Sequence, residues 1–106
     1  MNILFDQGTP VPLRLALSHH TVSTAFEMGW SNLQNGDLLK AAEGVFDVLV
    51  TTDQSLRYQQ NLSGLKLAIL ILSTTSWPVI QANVKQVIAM IDSVKPGEYR
   101  EVVISK

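Results

Sequence analysis

The chain has 106 residues, of which 46% are hydrophobic and 16% are charged, and its formal net charge at neutral pH is −1. This length and apolar content predict a single domain, residues 1–106, built on one core. The near-neutral charge, with no run of Lys or Arg, argues against a protein whose main task is to hold nucleic acid electrostatically, and leaves transient contact with RNA open. The charged fraction is below the roughly 25% of typical soluble domains, so we expect a homo-oligomer or a complex to cover part of the surface.

Cysteine is absent, which excludes disulfide bonds and thiolate metal sites and fits a cytoplasmic location. Residues 1–6 lack the basic start and apolar run of a signal peptide. The longest apolar run, residues 67–72, is too short to cross a membrane and is typical of a buried strand. We therefore expect no membrane association.

Strand-like and helix-like patterns alternate along the chain. In chain order we predict a strand at 3–5, a turn at 8–12 with a helix ending at 19–20, a strand at 21–26, a helix at 35–44, a strand at 48–51, a polar helical segment at about 55–61, a strand at 67–72, a helix from 78 to the turn at 96–97, and a strand at 100–104. Strands joined by helical crossovers form parallel sheets with helices packed on them. The order therefore predicts an α/β fold, a three-layer α/β/α sandwich with a mainly parallel five-stranded sheet.

Apolar spacing predicts which helix faces are buried. In the helix at 35–44 the stripe is Leu38, Leu39, Ala42 and Val45. In the helix that begins at Pro78, the predicted apolar face consists of Ile80, Val84, Val87, Ile88 and Ile91.

Three aspartates occupy equivalent positions in this pattern. Asp6 and Asp53 each follow a strand, and Asp37 begins a helix. In a parallel sheet these positions open on one edge, where such folds bind ligands. Three carboxylates meeting there would form a hard-cation site. Without a cation they would repel one another, so we expect a raised pKa for at least one of them.

Each aspartate also has a purely local interpretation. Asp6 is placed to cap the turn that follows it, and Asp37 is a common residue at the start of a helix. Asp53 is placed to accept hydrogen bonds from the turn at Gln54 and Ser55.

The histidines and tryptophans have simpler interpretations. His19 and His20 have no third ligand nearby in the sequence, which favours a solvated helix end. Trp30 and Trp77 are more typical of packing anchors than of base-stacking platforms. An exposed Trp77 beside Pro78 would suit an interface.

Four short motifs resemble the short stand-alone bacterial PIN-like family, which is related to the PIN-domain ribonucleases and their VapC-type toxins. The motifs, whose order spans nearly the whole chain, are Ile3-Leu4-Phe5-Asp6, Glu27-Met28-Gly29-Trp30, Asn35-Gly36-Asp37-Leu38-Leu39 and Val48-Leu49-Val50-Thr51-Thr52-Asp53. The resemblance implies a PIN-like fold that binds Mg²⁺ or Mn²⁺ through Asp6, Asp37 and Asp53 and hydrolyses RNA phosphodiesters. It also implies a toxin that is silenced by a cognate antitoxin protein.

Two departures from the PIN pattern reduce the number of carboxylates. No acid lies between Asp6 and Glu27, and Ser55 stands where PIN nucleases often carry another acid. Glu27 is a candidate fourth ligand, although its turn is also expected to shape the backbone. Ser55 and Arg57 are candidate accessory residues, the latter because a cation beside the metal would position a phosphate.

Two other classes of protein fit parts of the pattern. A response-regulator receiver also has an Asp after its first and third strands, but it needs a second acid beside the first, where this chain has Gln7. The stronger alternative is a catalytically idle PIN-like protein that binds a protein partner.

Overall fold

The computed structural model of the protein describes residues 1–56 and 62–104 and has an α/β fold. Within these residues five strands form one sheet, and every pair of neighbours is parallel. The strands are β1 (Asn2–Phe5), β2 (Thr21–Thr24), β3 (Val48–Thr51), β4 (Ala68–Leu72) and β5 (Tyr99–Val102). All five predicted strands are thus confirmed, with boundaries shifted by a few residues.

The helices are shorter than the sequence pattern indicated. They are a 3-10 helix (Val11–Leu17), α1 (Asn35–Ala42), α2 (Trp77–Ala82) and α3 (Val84–Ser93). The prediction of one continuous helix from Pro78 is wrong, because Asn83 leaves the helical conformation at φ −118° and ψ 24°. Its side-chain amide donates to the Val79 carbonyl at 2.9 Å, a local bond that competes with the regular helical ladder. Most of the helical segment predicted at about 55–61 lies outside the described residues.

The strand order across the sheet is β2-β1-β3-β4-β5. The chain moves outward from β1 to β2 and then crosses back over β1 to β3. The two directions of winding therefore meet between β1 and β3, whose carboxyl ends are the position where doubly wound sheets bind ligands. Asp6 and Asp53 follow these two strands.

Alternate strand residues separate into two buried clusters. Ile3 and Phe5 of β1 belong to one cluster, together with apolar residues of the 3-10 helix, α2 and α3. Leu4 belongs to the other cluster, to which α1 contributes Leu38, Leu39 and Ala42. All residues of β3 and β4 are buried, which explains why these strands are almost entirely apolar in sequence.

Val45 and Trp77 are placed differently from two of the sequence predictions. Val45 was expected in the buried stripe of α1 but is 51% exposed. The helix ends before it, and the Glu43 carboxylate accepts the backbone N–H groups of Lys66 and Leu67 at 3.0 and 3.2 Å. Trp77 is half-buried against the first cluster and is not an exposed interface residue.

The other tryptophan is an anchor, as predicted. Trp30 meets the ring of Phe46 edge-on, with the ring centroids 6.0 Å apart. None of the helices in the described residues has the length and apolar content needed to cross a lipid bilayer.

Substitutions at one buried and one exposed leucine test how much the buried strands contribute to the free energy of unfolding. Leu70 in β4 is fully buried, whereas Leu15 in the 3-10 helix is 83% exposed. We expect Leu70→Ala to lower the free energy of unfolding by about 2–5 kcal/mol, because it removes buried methyl groups and leaves a cavity. The matched change Leu15→Ala should stay within about 0.5 kcal/mol of wild type. Urea unfolding followed by circular dichroism measures both; equal losses would contradict the assigned core.

Candidate functional site

Asp6 is held at the end of β1 by a tight turn. Its backbone N–H donates to the Val50 carbonyl at 3.2 Å, which continues the pairing of β1 with β3. Its Oδ1 accepts the backbone N–H groups of Gly8 and Thr9, each at 3.1 Å. The Thr9 hydroxyl lies 2.8 Å from the same oxygen and 2.9 Å from the Val50 carbonyl, and it donates to one of them at a time. The local interpretation of Asp6 as a turn cap is therefore confirmed.

Gly8 allows this turn to lie directly on the end of β3. A Cβ atom at this position would collide with the hydroxyl of Thr52. A larger residue would move the Asp6 turn away from Thr52 or force the threonine into another rotamer. The close contact keeps the ends of β1 and β3 together.

Thr51, the last residue of β3, connects Asp6 with Asp53. It is 2% exposed, and its hydroxyl donates to Asp6 Oδ2 and accepts the backbone N–H of Asp53 at 3.1 Å. Two aspartates that are far apart in sequence are thereby fixed on one edge of the sheet. Thr51 was not among the predicted site residues, although a hydroxyl at the last position of an apolar strand is a usable signal.

Asp53 is surrounded by hydrogen-bond donors. Oδ1 accepts the backbone N–H of Ser55 at 3.0 Å and its hydroxyl at 2.7 Å, and Oδ2 accepts the side-chain amide of Asn35 at 2.6 Å. The Ser55 hydroxyl, followed by the Ser55 N–H and the Asn35 amide, lowers the pKa of Asp53 below its ordinary value, against a smaller opposing effect of burial. The expected rise in pKa is therefore wrong for Asp53, which is an anion at neutral pH.

Asp37 lies close to this edge in the fold but is more exposed. It occupies the first turn of α1, and Asn35 in the same turn is bonded to Asp53. Within the described residues, the oxygens of Asp6, Asp37 and Asp53 do not come within 4.8 Å of one another as a group of three. One cation bound by all three would require side-chain movement.

The hydrogen-bond donors around Asp6 and Asp53 determine which carboxylate oxygens can accept another partner. Among the described donors, Oδ1 of each aspartate receives at least two hydrogen bonds and Oδ2 of each receives one. A carboxylate oxygen has two lone pairs, so both Oδ2 atoms retain room for another partner. Mg²⁺ is commonly held by one or two carboxylates and several waters. Each of these two aspartates therefore keeps one oxygen with an unused lone pair.

Glu27 shapes the loop after β2 and forms an ion pair with Arg14. Its Oε1 accepts the Thr24 N–H at 2.9 Å, while the Thr24 hydroxyl accepts the Glu27 N–H at 3.1 Å. Both carboxylate oxygens face the guanidinium of Arg14, with one nitrogen–oxygen distance of 3.3 Å. The Arg14 hydrogen bond is the main reason that the pKa of Glu27 lies below its ordinary value. Glu27 is thus a backbone-shaping residue whose charge is already paired.

A cleft of about 640 Å³ lies beside Asp6 at the β2 side of the sheet. Asp6, Arg14 and Glu27 supply charged groups to it. Val11 and Phe26 supply apolar ones and are 53% and 79% exposed. The sheet edge that carries Asp6 and Asp53 is therefore continuous with a mixed polar and apolar surface.

The predictions for Ser55, Arg57 and the two histidines have different outcomes. Ser55 is confirmed as a partner of Asp53, whereas Arg57 lies outside the described residues. The prediction of a solvated helix end holds for His19, whose side chain is 51% exposed, but is wrong for His20 at 9%, and the fold brings Asp92 against both. Asp92 is more than seventy residues away in sequence, so spacing gave no signal of it.

Comparisons of the chain with protein-family models, with curated proteins and with solved structures each found no match. Its function is therefore inferred from the residues and geometry described above.

Ser55→Ala tests the electrostatics of Asp53. Because the Ser55 hydroxyl is the largest cause of the lowered pKa, we expect the pKa of Asp53 to rise toward its ordinary value, about 3.9. A carboxylate with a lowered pKa adds stability above its unfolded-state pKa and loses it as the pH falls through the folded-state pKa. The variant should therefore be less stable than wild type at neutral pH, with the difference shrinking below about pH 4.

Carbon-detected NMR titration of the Asp53 carboxyl and urea unfolding at several pH values measure these two effects. Ser93→Ala is the matched control, since the Ser93 hydroxyl is exposed and donates only to the Met90 carbonyl, at 3.2 Å, among its recorded contacts. An unchanged Asp53 pKa in Ser55→Ala would contradict the assigned bonds.

Proposed function

We propose that this protein is a PIN-like ribonuclease that hydrolyses RNA phosphodiesters with Mg²⁺ or Mn²⁺ bound at Asp6, Asp37 and Asp53. The observation that carries the proposal is the bridge through Thr51, which holds Asp6 and Asp53 at the carboxyl ends of the paired strands β1 and β3. These strands flank the point where the winding of the sheet reverses, which is the usual ligand position in such folds.

The side chains have defined roles in this proposal. A divalent cation, when bound, neutralises phosphate oxygens, lowers the pKa of an attacking water and stabilises the leaving oxygen. Asp6 and Asp53 would hold it, together with Asp37 in the first turn of α1. Asp53 needs no deprotonation to bind a cation at neutral pH, because Ser55 and Asn35 stabilise its anionic form. Thr51 and Ser55 fix the two carboxylates in orientation, so little ordering of these side chains would be needed when the cation binds.

The PIN-like, three-layer α/β/α architecture is part of the same proposal. It is supported by the two buried clusters, one with the 3-10 helix, α2 and α3 and the other with α1. The strand order β2-β1-β3-β4-β5 is the order of flavodoxin-like and receiver domains, so the order by itself gives the PIN-like class no support. Gln7 beside Asp6, where a receiver needs an acid, favours the nuclease.

A catalytically idle PIN-like interaction protein is the second candidate, and two observations favour it. Both Asp6 and Asp53 already accept several hydrogen bonds from protein donors. Phe26 and Val11 in the cleft are 79% and 53% exposed, as expected for a surface that a protein partner covers. For both candidate functions we propose that the protein is cytoplasmic. We also propose that it either self-associates or is covered by an antitoxin, and that its contact with RNA is transient.

Charge-removing variants test the nuclease. We expect the purified protein to cleave RNA when Mg²⁺ or Mn²⁺ is present, and we expect cleavage to stop when EDTA removes the metal. Asp53→Asn and Asp6→Asn should each lower the cleavage rate by roughly 100-fold or more, since losing a direct ligand should cost at least as much as losing an outer partner. Single-turnover cleavage of a fluorescent RNA panel measures the rates.

Asp47→Asn is the matched control. Asp47 precedes β3 at the opposite edge of the sheet, and its Oδ2 accepts the Asn2 N–H at 2.8 Å, so this variant also replaces an oxygen that accepts a hydrogen bond. It should retain full activity. Wild-type cleavage by Asp53→Asn would refute the mechanism, and a folded wild-type protein that cleaves no RNA with either metal would favour the idle binder.

Light scattering tests the proposed self-association. We expect the isolated protein to exceed the mass of one chain and Phe26→Ser to shift it toward the monomer, because the change removes an exposed aromatic side chain from the contact surface. Val103→Ser is the control, since Val103 is 66% exposed but follows β5 at the other end of the strand order. A strictly monomeric wild-type protein at high concentration would contradict self-association.

A further inference from the structure

A cluster of two imidazoles and one carboxylate lies outside the proposed nuclease site. His19 and His20 connect the 3-10 helix to β2, and Asp92 lies in the last turn of α3. Nε2 of His19 is 3.0 Å from Asp92 Oδ1, and Nε2 of His20 is 2.7 Å from the same oxygen. Within the described residues this is the only group of three or more potential ligand residues with all donor atoms inside 4.8 Å. It precedes β2, so it lies toward the strand amino ends, away from Asp6 and Asp53.

Both imidazole rings face one carboxylate oxygen. Their centroids are 4.0 Å apart and the rings are tilted by 44°, and both direct Nε2 to Asp92 Oδ1. The two lone pairs of this oxygen can accept one N–H from each ring. Once both Nε2 atoms carry no proton, the same two nitrogens and one oxygen, all within 4.8 Å of one another, are a set of atoms that binds a metal ion.

We propose that His19, His20 and Asp92 bind a late first-row divalent cation, with Zn²⁺ as the favoured ion. Imidazole nitrogens bind Zn²⁺, Ni²⁺ and Cu²⁺ in preference to Mg²⁺ and Ca²⁺, which prefer all-oxygen ligands. The two edges of the sheet thus select different cations. The proposal does not depend on the nuclease, because it uses none of the nuclease residues.

The geometry requires only small side-chain movements. Zn–N and Zn–O bonds of about 2.0–2.2 Å in a tetrahedral arrangement place neighbouring ligand atoms roughly 3.3–3.5 Å apart. The present spacings of 3.0 and 2.7 Å must therefore open by about 0.3–0.8 Å. His19 and Asp92, whose side chains are 51% and 44% exposed, have more room to rotate than His20, whose side chain is 9% exposed.

The charge on Asp92 suits this role, whereas the contact of His20 with Met1 has to change. His20 Nδ1 lies 3.0 Å from the amino nitrogen of Met1. When Nε2 binds a cation the ring proton is on Nδ1, which then donates, so the Met1 ammonium, itself a donor, must move away. Hydrogen bonds from His20, and then from His19, hold the pKa of Asp92 below its ordinary value. Asp92 is therefore an anion at neutral pH.

Cation binding would connect two distant parts of the chain. The loop before the edge strand β2 would be joined to the end of α3, two segments separated by more than seventy residues. The unfolded chain does not hold the three ligands together, so binding favours the folded state. The consequence is a protein whose thermal stability depends on Zn²⁺.

Thermal unfolding and calorimetry with ZnCl₂ test the site. At a free concentration about 100 times Kd, we expect Zn²⁺ to raise Tm by roughly 10 °C, with one ion bound per chain. Any shift that MgCl₂ causes should remain in His19→Ala and Asp92→Asn, because imidazole does not bind Mg²⁺ well and the proposed Mg²⁺ ligands lie elsewhere. Replacing Zn²⁺ with Co²⁺ should give visible absorption typical of low-coordinate cobalt.

His19→Ala and Asp92→Asn should each lose the Zn²⁺-dependent shift and the Co²⁺ absorption. Both positions are about half exposed, so these variants are expected to fold. Glu101→Gln, a change at another exposed carboxylate, and Asp53→Asn, a change at the nuclease site, should keep both signals. The proposal is overturned if wild-type protein shows no Zn²⁺-dependent shift, or if the shift persists in both His19→Ala and Asp92→Asn.

Discussion

Burial of the central strands on both faces is the constraint on which the rest of this structure depends. All residues of β3 and β4 are buried, and the apolar residues of β1 separate into two clusters. A strand buried on both faces has no position for a charged side chain along its length. Polar side chains that can bind a ligand or take part in catalysis are therefore confined to strand ends and to the connections between strands.

Thr51 shows how this constraint produces a site. It is the last buried residue of β3, and its hydroxyl is satisfied by Asp6 and by the backbone of Asp53. Leaving that hydroxyl unpaired at this depth would cost about 1–3 kcal/mol, so core packing and the position of the aspartates are coupled. The same hydrogen bonds that hold the ends of β1 and β3 together also orient the two carboxylates.

The two edges of the sheet carry different chemistry for the same structural reason. Connections after the strands place oxygen donors around Asp6 and Asp53, whereas the connection before β2 places His19 and His20 beside Asp92. Oxygen ligands suit Mg²⁺ or Mn²⁺, and imidazole suits Zn²⁺. Because the sheet core lies between the edges, a change at one is not expected to disturb the other, and their effects on activity and stability should add.

The sequence by itself determined the α/β class, the five strands, the buried faces Leu38, Leu39 and Ala42, and the placement of Asp6 and Asp53 at strand ends, because these follow from local apolar periodicity. It did not predict the break at Asn83 or the end of α1 before Val45, where single side-chain hydrogen bonds override the periodic pattern. Only the tertiary structure decided the order of the strands, the bridge through Thr51, the lowered pKa of Asp53 and the meeting of His19 and His20 with Asp92. Each of these joins residues far apart in the chain or depends on the direction of a side chain, and linear spacing carries no information about either.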